Sequence, residues 1–240
     1  MRLDIALAEQ QNISREKAKT LISQGLVHVT GRVVTKPSFL VTDTDTLTVE
    51  QPEQHYVSRG GHKLAHALAQ FQVDVREKTC IDIGASTGGF TDCLLQHGAQ
   101  LVYAIDVGTQ QLHPTLKDHP QIISLENTHI LSQPAVPPAQ IMVIDVSFIS
   151  LSLVLPVAYE LLIPDGVCLA LVKPQFEVGK KNLNRQGIVK RPNLITKTMR
   201  QLAQQATIVG FTVLGQTPSP ITGKGGNAEC FLVLKREEQP

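Results

Sequence analysis

Two carboxylates bracket a glycine-rich bend between residues 79 and 106. Cys80, Ile81 and Ile83 make a short apolar run that ends in Gly84-Ala85-Ser86-Thr87-Gly88-Gly89-Phe90, and Leu101 to Ile105 make another that ends in Asp106. Helical spacing from Phe90 to Leu95, stopped by Gly98, joins the two. This predicts strand, turn, helix and strand, with the strands parallel and buried on both faces. Glycine at the bend lets a ligand lie against the main chain, and an acid closing the second strand can take both hydroxyls of a ribose. A pyrophosphate-binding turn reads G-x-G-x-x-G. Here Asp82-x-Gly84 opens the turn, and a carboxylate there repels phosphate. The expected guest is a nucleoside without phosphates that carries a cationic or amino-acid group, as S-adenosylmethionine does. Candidate contacts are Asp82, Gly84, Ser86, Gly88, Gly89, Phe90 and Asp106. An ordinary β–α turn has the same spacing, and the bend alone does not separate the two.

Methyl transfer from such a donor needs alignment. A ribose hydroxyl as acceptor also needs a base, and a lysine serves if desolvation or neighbouring cations favour its neutral form. The chain offers Lys63 at a helix start, Asp145 and Lys173 at the ends of two apolar strands, and Glu229 entering the last strand. Lys63 follows Ser58-Arg59-Gly60-Gly61, where the helix dipole disfavours a cation. It is either a surface lysine or an ammonium aimed into a cleft.

The elements that must hold these groups form an alternating pattern. Apolar runs at Ile122-Ile123, Ile141 to Ile144 and Val167 to Val172 read as further strands, with a helix after Asp145 and another around Ile195 to Ala206. Phe211 to Leu214 and Cys230 to Leu234 read as a closing antiparallel pair. The expectation is an α/β fold with a seven-stranded Rossmann-like sheet over 58–240, a linker over 51–57 and a small α+β unit over 1–50. In that unit Leu3, Leu7 and Ala8 suggest a helix, and Ser14 caps a second from Arg15 to Gln24. A hairpin turns at Thr30-Gly31, and Leu47 to Val49 is a last strand.

Net charge is +1, yet it is unevenly spread. Residues 80–172 carry eight acids and one base, whereas residues 173–200 carry eight bases and one acid. The basic strip, with Lys180, Lys181 and Arg185, is the candidate for a polyanion. Arg15, Lys19, Arg32 and Lys36 in the first fifty residues either meet phosphates or are a solvated face. The four cysteines have no C-x-x-C spacing and read as free thiols of a reducing compartment. No metal site, secretion leader or spanning run of about 18 apolar residues is expected, so the chain reads as cytoplasmic.

Arg2-Leu3-Asp4, Ser14-Arg15-x-x-Ala18, Gly25-x-Val27-x-Val29-x-Gly31 and Lys36-Pro37-Ser38 resemble the S4 RNA-binding domain, with Thr30 where that domain usually has Asn. The likeness implies an RNA-binding role for that unit, Arg2 included. Ser58-Arg59-Gly60-Gly61-x-Lys63-Leu64, Asp82-x-Gly84 through Asp92, Asp145-Val146-Ser147-Phe148-Ile149-Ser150, Lys173-Pro174-Gln175-Phe176-Glu177 and Gly225-Gly226-Asn227-Ala228-Glu229 resemble the TlyA-type haemolysin family. That family joins an S4 domain to an FtsJ-like 2′-O-ribose methyltransferase acting on ribosomal RNA. The resemblance implies a tetrad of Lys63, Asp145, Lys173 and Glu229 with Lys173 as base. It also implies donor contacts at Asp82, Gly84 and Asp106, Glu126 and Asn127 near the adenine, and ribosomal RNA or a ribosomal subunit as partner, which Arg59 would also touch. The short termini resemble the subgroup that modifies a large-subunit cytidine. Related linkers carry Arg-x-Trp-Val where this chain has Gln54-His55-Tyr56-Val57. Competing readings are a non-catalytic ribosome-assembly module, a membrane-lysing protein and a methyltransferase for protein or small molecules.

Overall fold

A computed structural model describes residues 1–23, 25–49, 55–223 and 225–237. The chain divides into two compact units, Met1–His55 and Tyr56–Pro240. Gln24 and most of the expected linker, residues 51–54, lie outside the described residues.

In the smaller unit, α1 (Leu3–Gln11) and α2 (Arg15–Ser23) pack on a three-stranded antiparallel sheet of β1 (Val27–Val29), β2 (Arg32–Val33) and β3 (Leu47–Val49), in the order β2-β1-β3. Leu3, Leu7, Ala18, Ile22, Val27 and Val29 are buried between them. Ser14 Oγ accepts the Lys17 N–H at 3.2 Å, which caps α2 as its position before Arg15 suggests. Thr30 takes a positive φ of 48°, costly for a β-branched residue, and is held there by a 3.0 Å hydroxyl bond to Asp45. That bond explains how threonine can stand where asparagine is usual.

The larger unit is a seven-stranded sheet between helices. Its strands are β4 (Thr79–Ile83), β5 (Leu101–Ile105), β6 (Ile122–Leu125), β7 (Ala139–Ile144), β8 (Leu162–Val172), β9 (Phe211–Pro218) and β10 (Cys230–Arg236), ordered β6-β5-β4-β7-β8-β10-β9. The first five run parallel, and β10 pairs antiparallel with both β8 and β9. Helices α3 (Arg59–Gln70) and α4 (Gly89–Gln96) cover one face. Helices α6 (Leu151–Glu160) and α8 (Pro192–Val209) cover the other, with short turns α5 (Pro114–Lys117) and α7 (Pro174–Glu177) at the edges. Because strand side chains alternate, Ile81 and Ile83 enter one core and Cys80 the other.

Two boundaries differ from the sequence reading. Strand β8 begins at Leu162 rather than Val167, carrying Pro164 and Gly166 through a register shift against β7, which masks its apolar pattern. Helix α8 begins at Pro192, since proline is tolerated in a first turn. Cys80, Cys93 and Cys168 are buried free thiols, each pushed up to about 12 by burial, and Cys230 is half-buried. Strand order reverses direction about β4, so β5 lies on one side of it and β7 on the other. Crevices for ligands open at such a switch.

Candidate active site

The bend leaving β4 is pressed against the end of β7. Gly84 takes φ +84°, and a Cβ there would lie 2.7 Å from the Asp145 carbonyl oxygen, so only glycine lets the two strand ends meet. A Cβ on Gly89 would reach Ser58 Oγ at 2.1 Å, which keeps the start of α4 in contact with the start of α3. Ser58 caps α3 by accepting the Gly60 N–H at 3.3 Å. Lys63, in the second turn of α3, is 8% exposed, and its Nζ lies 2.5 Å from Glu229 Oε2. It is therefore no surface lysine. Asp145 follows β7 and Lys173 follows β8; Lys173 Nζ stands 2.7 Å from Asp145 Oδ1 and donates to Ser147 Oγ at 2.9 Å. Four segments far apart in sequence thus bring two ammonium–carboxylate pairs to the wall of a single cavity of about 810 Å³.

A second cavity of about 510 Å³ adjoins it and shares Gly84, Ser86, Asp145, Ser147 and Phe148. Ile83, Ile105, Ile130 and Ile149 give it apolar walls, and Asp106 stands among them. Asp106 accepts backbone N–H groups from Ser86 at 2.8 Å and Gly108 at 2.7 Å, which ties the bend to the end of β5. Apolar walls with Asp106 on one side and Asp145 on the side shared with the larger cavity, within the size range of small-ligand sites, suit the base and sugar of a nucleoside. Gly89 and Phe90 line the larger cavity, with Phe90 stacked on Phe231.

Several expected contacts need correction. Asp82 lines neither cavity: its side chain is wholly buried, points to the α3–α4 face, and accepts the Thr91 hydroxyl at 2.7 Å. Burial, with Asp145 and Asp106 adding repulsion, pushes its carboxyl up to about 7. It braces the bend from beneath. Gly88 lines neither cavity either; a Cβ there would strike Leu116, so it admits α5. Glu126 accepts the Gln110 N–H at 2.8 Å and Asn127 is exposed, and neither lines the second cavity. Thr128, His129 and Ile130, the next three residues along the chain, line that wall.

Among the cations, Arg59 lines the larger cavity, Arg185 is exposed next to one of its lining residues, Gln186, and Lys180 and Lys181 are exposed without lining either cavity. Arg32 and Lys36 are exposed in the smaller unit. Arg2 and Arg15 instead flank the buried Asp4, at 3.0 and 2.9 Å, and hold its carboxyl at about 2. Their side chains stay 43% and 50% exposed, so they brace the fold and face solvent together. Lys19 pairs with Glu16 at 2.6 Å. Sequence reasoning missed Ser147, Phe148, Gln175, Gln186 and Asn227 as cavity residues. It also gave Glu177 no task, yet its carboxylate caps α6 by accepting Ser150 Oγ–H at 2.6 Å and the Leu151 N–H at 2.8 Å. The clue was present for all but Gln186, because the others sit inside the motifs around Asp145, Lys173 and Glu229. Among the described residues no group of three or more His, Cys, Asp or Glu could hold a metal ion.

The family model for FtsJ-like methyltransferases matches residues 56–236, and that for the S4 domain matches residues 1–47. The 16S/23S rRNA (cytidine-2'-O)-methyltransferase TlyA of Mycobacterium tuberculosis is 41% identical over 230 residues, covering 93% of this chain and 85% of the relative. The 23S rRNA (cytidine-2'-O)-methyltransferase TlyA of Campylobacter jejuni is 34% identical over 250 residues, covering 96% and 98%. A solved Streptococcus thermophilus structure, provisionally described as a hemolysin, is 39% identical with a TM-score of 0.74, covering 100% of this chain and 90% of that one. The cavities, the sheet order and these matches agree: the chain belongs to the FtsJ-like methyltransferase family and carries an S4 domain at its start.

Proposed function

We propose that the chain uses S-adenosylmethionine to methylate the ribose 2′-hydroxyl of a cytidine in large-subunit ribosomal RNA, as free RNA or in a ribosomal subunit. The observation that carries this reading is the convergence of Lys63, Asp145, Lys173 and Glu229 on one cavity beside a nucleoside-sized one. The relatives' names point the same way, since both TlyA proteins are named for cytidine 2'-O-methylation. A ribosomal acceptor puts the work in the cytoplasm. No described helix is long and apolar enough to cross a membrane.

The apolar walls of the second cavity take the adenine, Asp106 takes the ribose hydroxyls, and Gly84 and Ser86 lie along the donor's length. When bound, the donor supplies an electrophilic methyl group. Lys173 Nζ removes the proton of the acceptor hydroxyl, having released its own through the open side of the cavity. Asp145 and Ser147 aim that Nζ, and the Lys63–Glu229 pair holds the hydroxyl from the opposite wall. Alignment by this rigid frame supplies much of the rate.

The test incubates purified protein with labelled donor and ribosomal particles lacking the modification, then maps the label. Label on a single ribose 2′-oxygen of the large-subunit RNA is expected. In Lys173→Ala transfer is abolished while calorimetric donor binding stays intact. Label on protein, or unchanged turnover in that variant, refutes the reading. Liposome leakage by the same preparation would favour membrane lysis instead.

A further inference from the structure

Between α7 and α8 the chain forms a small hairpin, bridged antiparallel at Leu183 and Val189. Asn184 builds its turn, with Oδ1 accepting the N–H groups of Gln186 and Ile188 at 2.9 Å each. Asn184, Arg185 and Gln186 at the tip are exposed, whereas Leu183, Ile188 and Val189 at its base are half-buried. A distant side chain also ties it down. Asn227 is 4% exposed, its Oδ1 accepts the Val189 N–H at 3.1 Å, and its Nδ2 donates to the Gly187 carbonyl at 3.0 Å. The Asn227 carbonyl in turn accepts the Gly223 N–H at 2.8 Å, fixing the segment that leads into Glu229. A buried amide whose polar atoms all meet one loop is costly to leave unpaired, so hairpin and Glu229 segment hold one geometry.

The placement gives this joint a task. Gln186, Gly187, Asn227 and Glu229 line the same cavity as Lys173. No acid occurs between Val178 and Arg200, and Arg185 extends from the exposed tip. A guanidinium beside a neutral amide suits a polyanionic strand with hydrogen-bonding bases, the first on a phosphate and the second on a base edge or sugar. We propose that hairpin 183–189 is the wall that seats the acceptor strand of a single-stranded RNA segment against Lys173 and Glu229, and that Asn227 is the positioning residue that fixes this wall. The proposal rests on the methyltransferase reading above and adds where the acceptor is gripped.

The experiment uses the full chain, measuring donor affinity by calorimetry and kcat and KM on undermodified ribosomal particles. In Asn227→Ala, loss of the two bonds to the hairpin raises KM for the particles by about tenfold, with donor Kd changed by less than about twofold. The double variant Arg185→Ala/Gln186→Ala leaves the joint intact and raises KM alike, which covers a failure of Asn227→Ala to fold. Hydrogen exchange of the Gln186, Ile188 and Val189 amides in the donor-free protein is a readout independent of activity. Exchange there quickens by about tenfold in Asn227→Ala, and unchanged exchange overturns the joint. An unchanged KM in the double variant, or a fall in kcat at constant KM in Asn227→Ala, overturns the acceptor wall. A wild-type chain that methylates no RNA overturns the underlying function, whereas the exchange result still decides the joint.

Discussion

Asp82→Asn isolates the one carboxylate that the fold buries completely beneath the bend. Wild-type Asp82 titrates near 7 in the folded chain against 3.8 for an ordinary aspartate. The folded state therefore holds the Asp82 proton more tightly than the unfolded chain does. Between pH 4 and 7 folding is linked to proton uptake, and stability falls as pH rises through that window. By about pH 8 the loss is complete. A gap of about 3 pH units at ~1.4 kcal/mol per unit sets a ceiling of ~4 kcal/mol. Asparagine keeps an acceptor for the Thr91 hydroxyl and has no proton to lose. Its stability relative to wild type should therefore climb by ~3 kcal/mol from pH 4.5 to 7 and level off near pH 8, whatever constant cost the new amide adds. The chain has no tryptophan, so urea unfolding is followed by far-ultraviolet circular dichroism at half-unit steps of pH. Taking the difference between variant and wild type cancels the titrating groups that Asp82 does not sense, leaving Asp82 and its coupling to Asp145 and Asp106. A difference that is flat from pH 4.5 to 8 would refute the reasoning, because Asp82 would then be ionised without cost.

Glu177→Ala removes a charged cap from α6 and should cost about 2 kcal/mol, lowering Tm by roughly 4–8 °C in calorimetry. Turnover falls with it, because that carboxylate ties the loop after Asp145 to the turn after Lys173; Glu177→Gln restores most of both, and equal turnover in all three chains would deny the tie. Gly84→Ala adds left-handed strain of ~1–2 kcal/mol to a collision with the Asp145 backbone, so both stability and donor affinity drop. Gly31→Ala, at φ +79° with open space around the added carbon, should show the positive-φ strain alone. Matching losses in the two alanine variants would mean that the bend does not press on β7.

Much of the fold was legible because burial on both faces writes itself into β4, β5 and β7 as short continuous apolar runs, each closed by an acid or a glycine. Strand β8 was read late because Pro164 and Gly166 interrupt its run, and only pairing with β7 and β10 makes that stretch a strand. The polar sites divide on a different line. Residues that reach a cavity at the end of an element, such as Lys63, Asp106, Asp145 and Lys173, could be placed by counting along strands and helices. Asp82 could not, since a one-residue step along β4 decides whether a side chain meets the ligand or the α3–α4 core. Glu126 and Asn127 lie outside the second cavity for a similar reason, as the turn after β6 folds back on Gly108 and Gln110 before it reaches the cavity.

The two ion pairs differ in how they can be disturbed, and this bears on how the site works. Lys63 and Glu229 are 10% and 2% exposed in their side chains, lie 166 residues apart, and join α3 to the antiparallel edge of the sheet. Lys173 and Asp145 are 13% and 25% exposed and sit at the ends of neighbouring parallel strands. Removing one partner from the more deeply buried pair leaves an uncompensated charge, so its loss should appear first as instability. The Lys173–Asp145 pair rests on two strands that the sheet already fixes, and the wetter Asp145 side leaves room for an arriving hydroxyl and a departing proton. The geometry thus separates a deeply buried pair that holds the walls together from a pair more open to solvent, which is why the proposed function gives the part of base to Lys173 rather than Lys63.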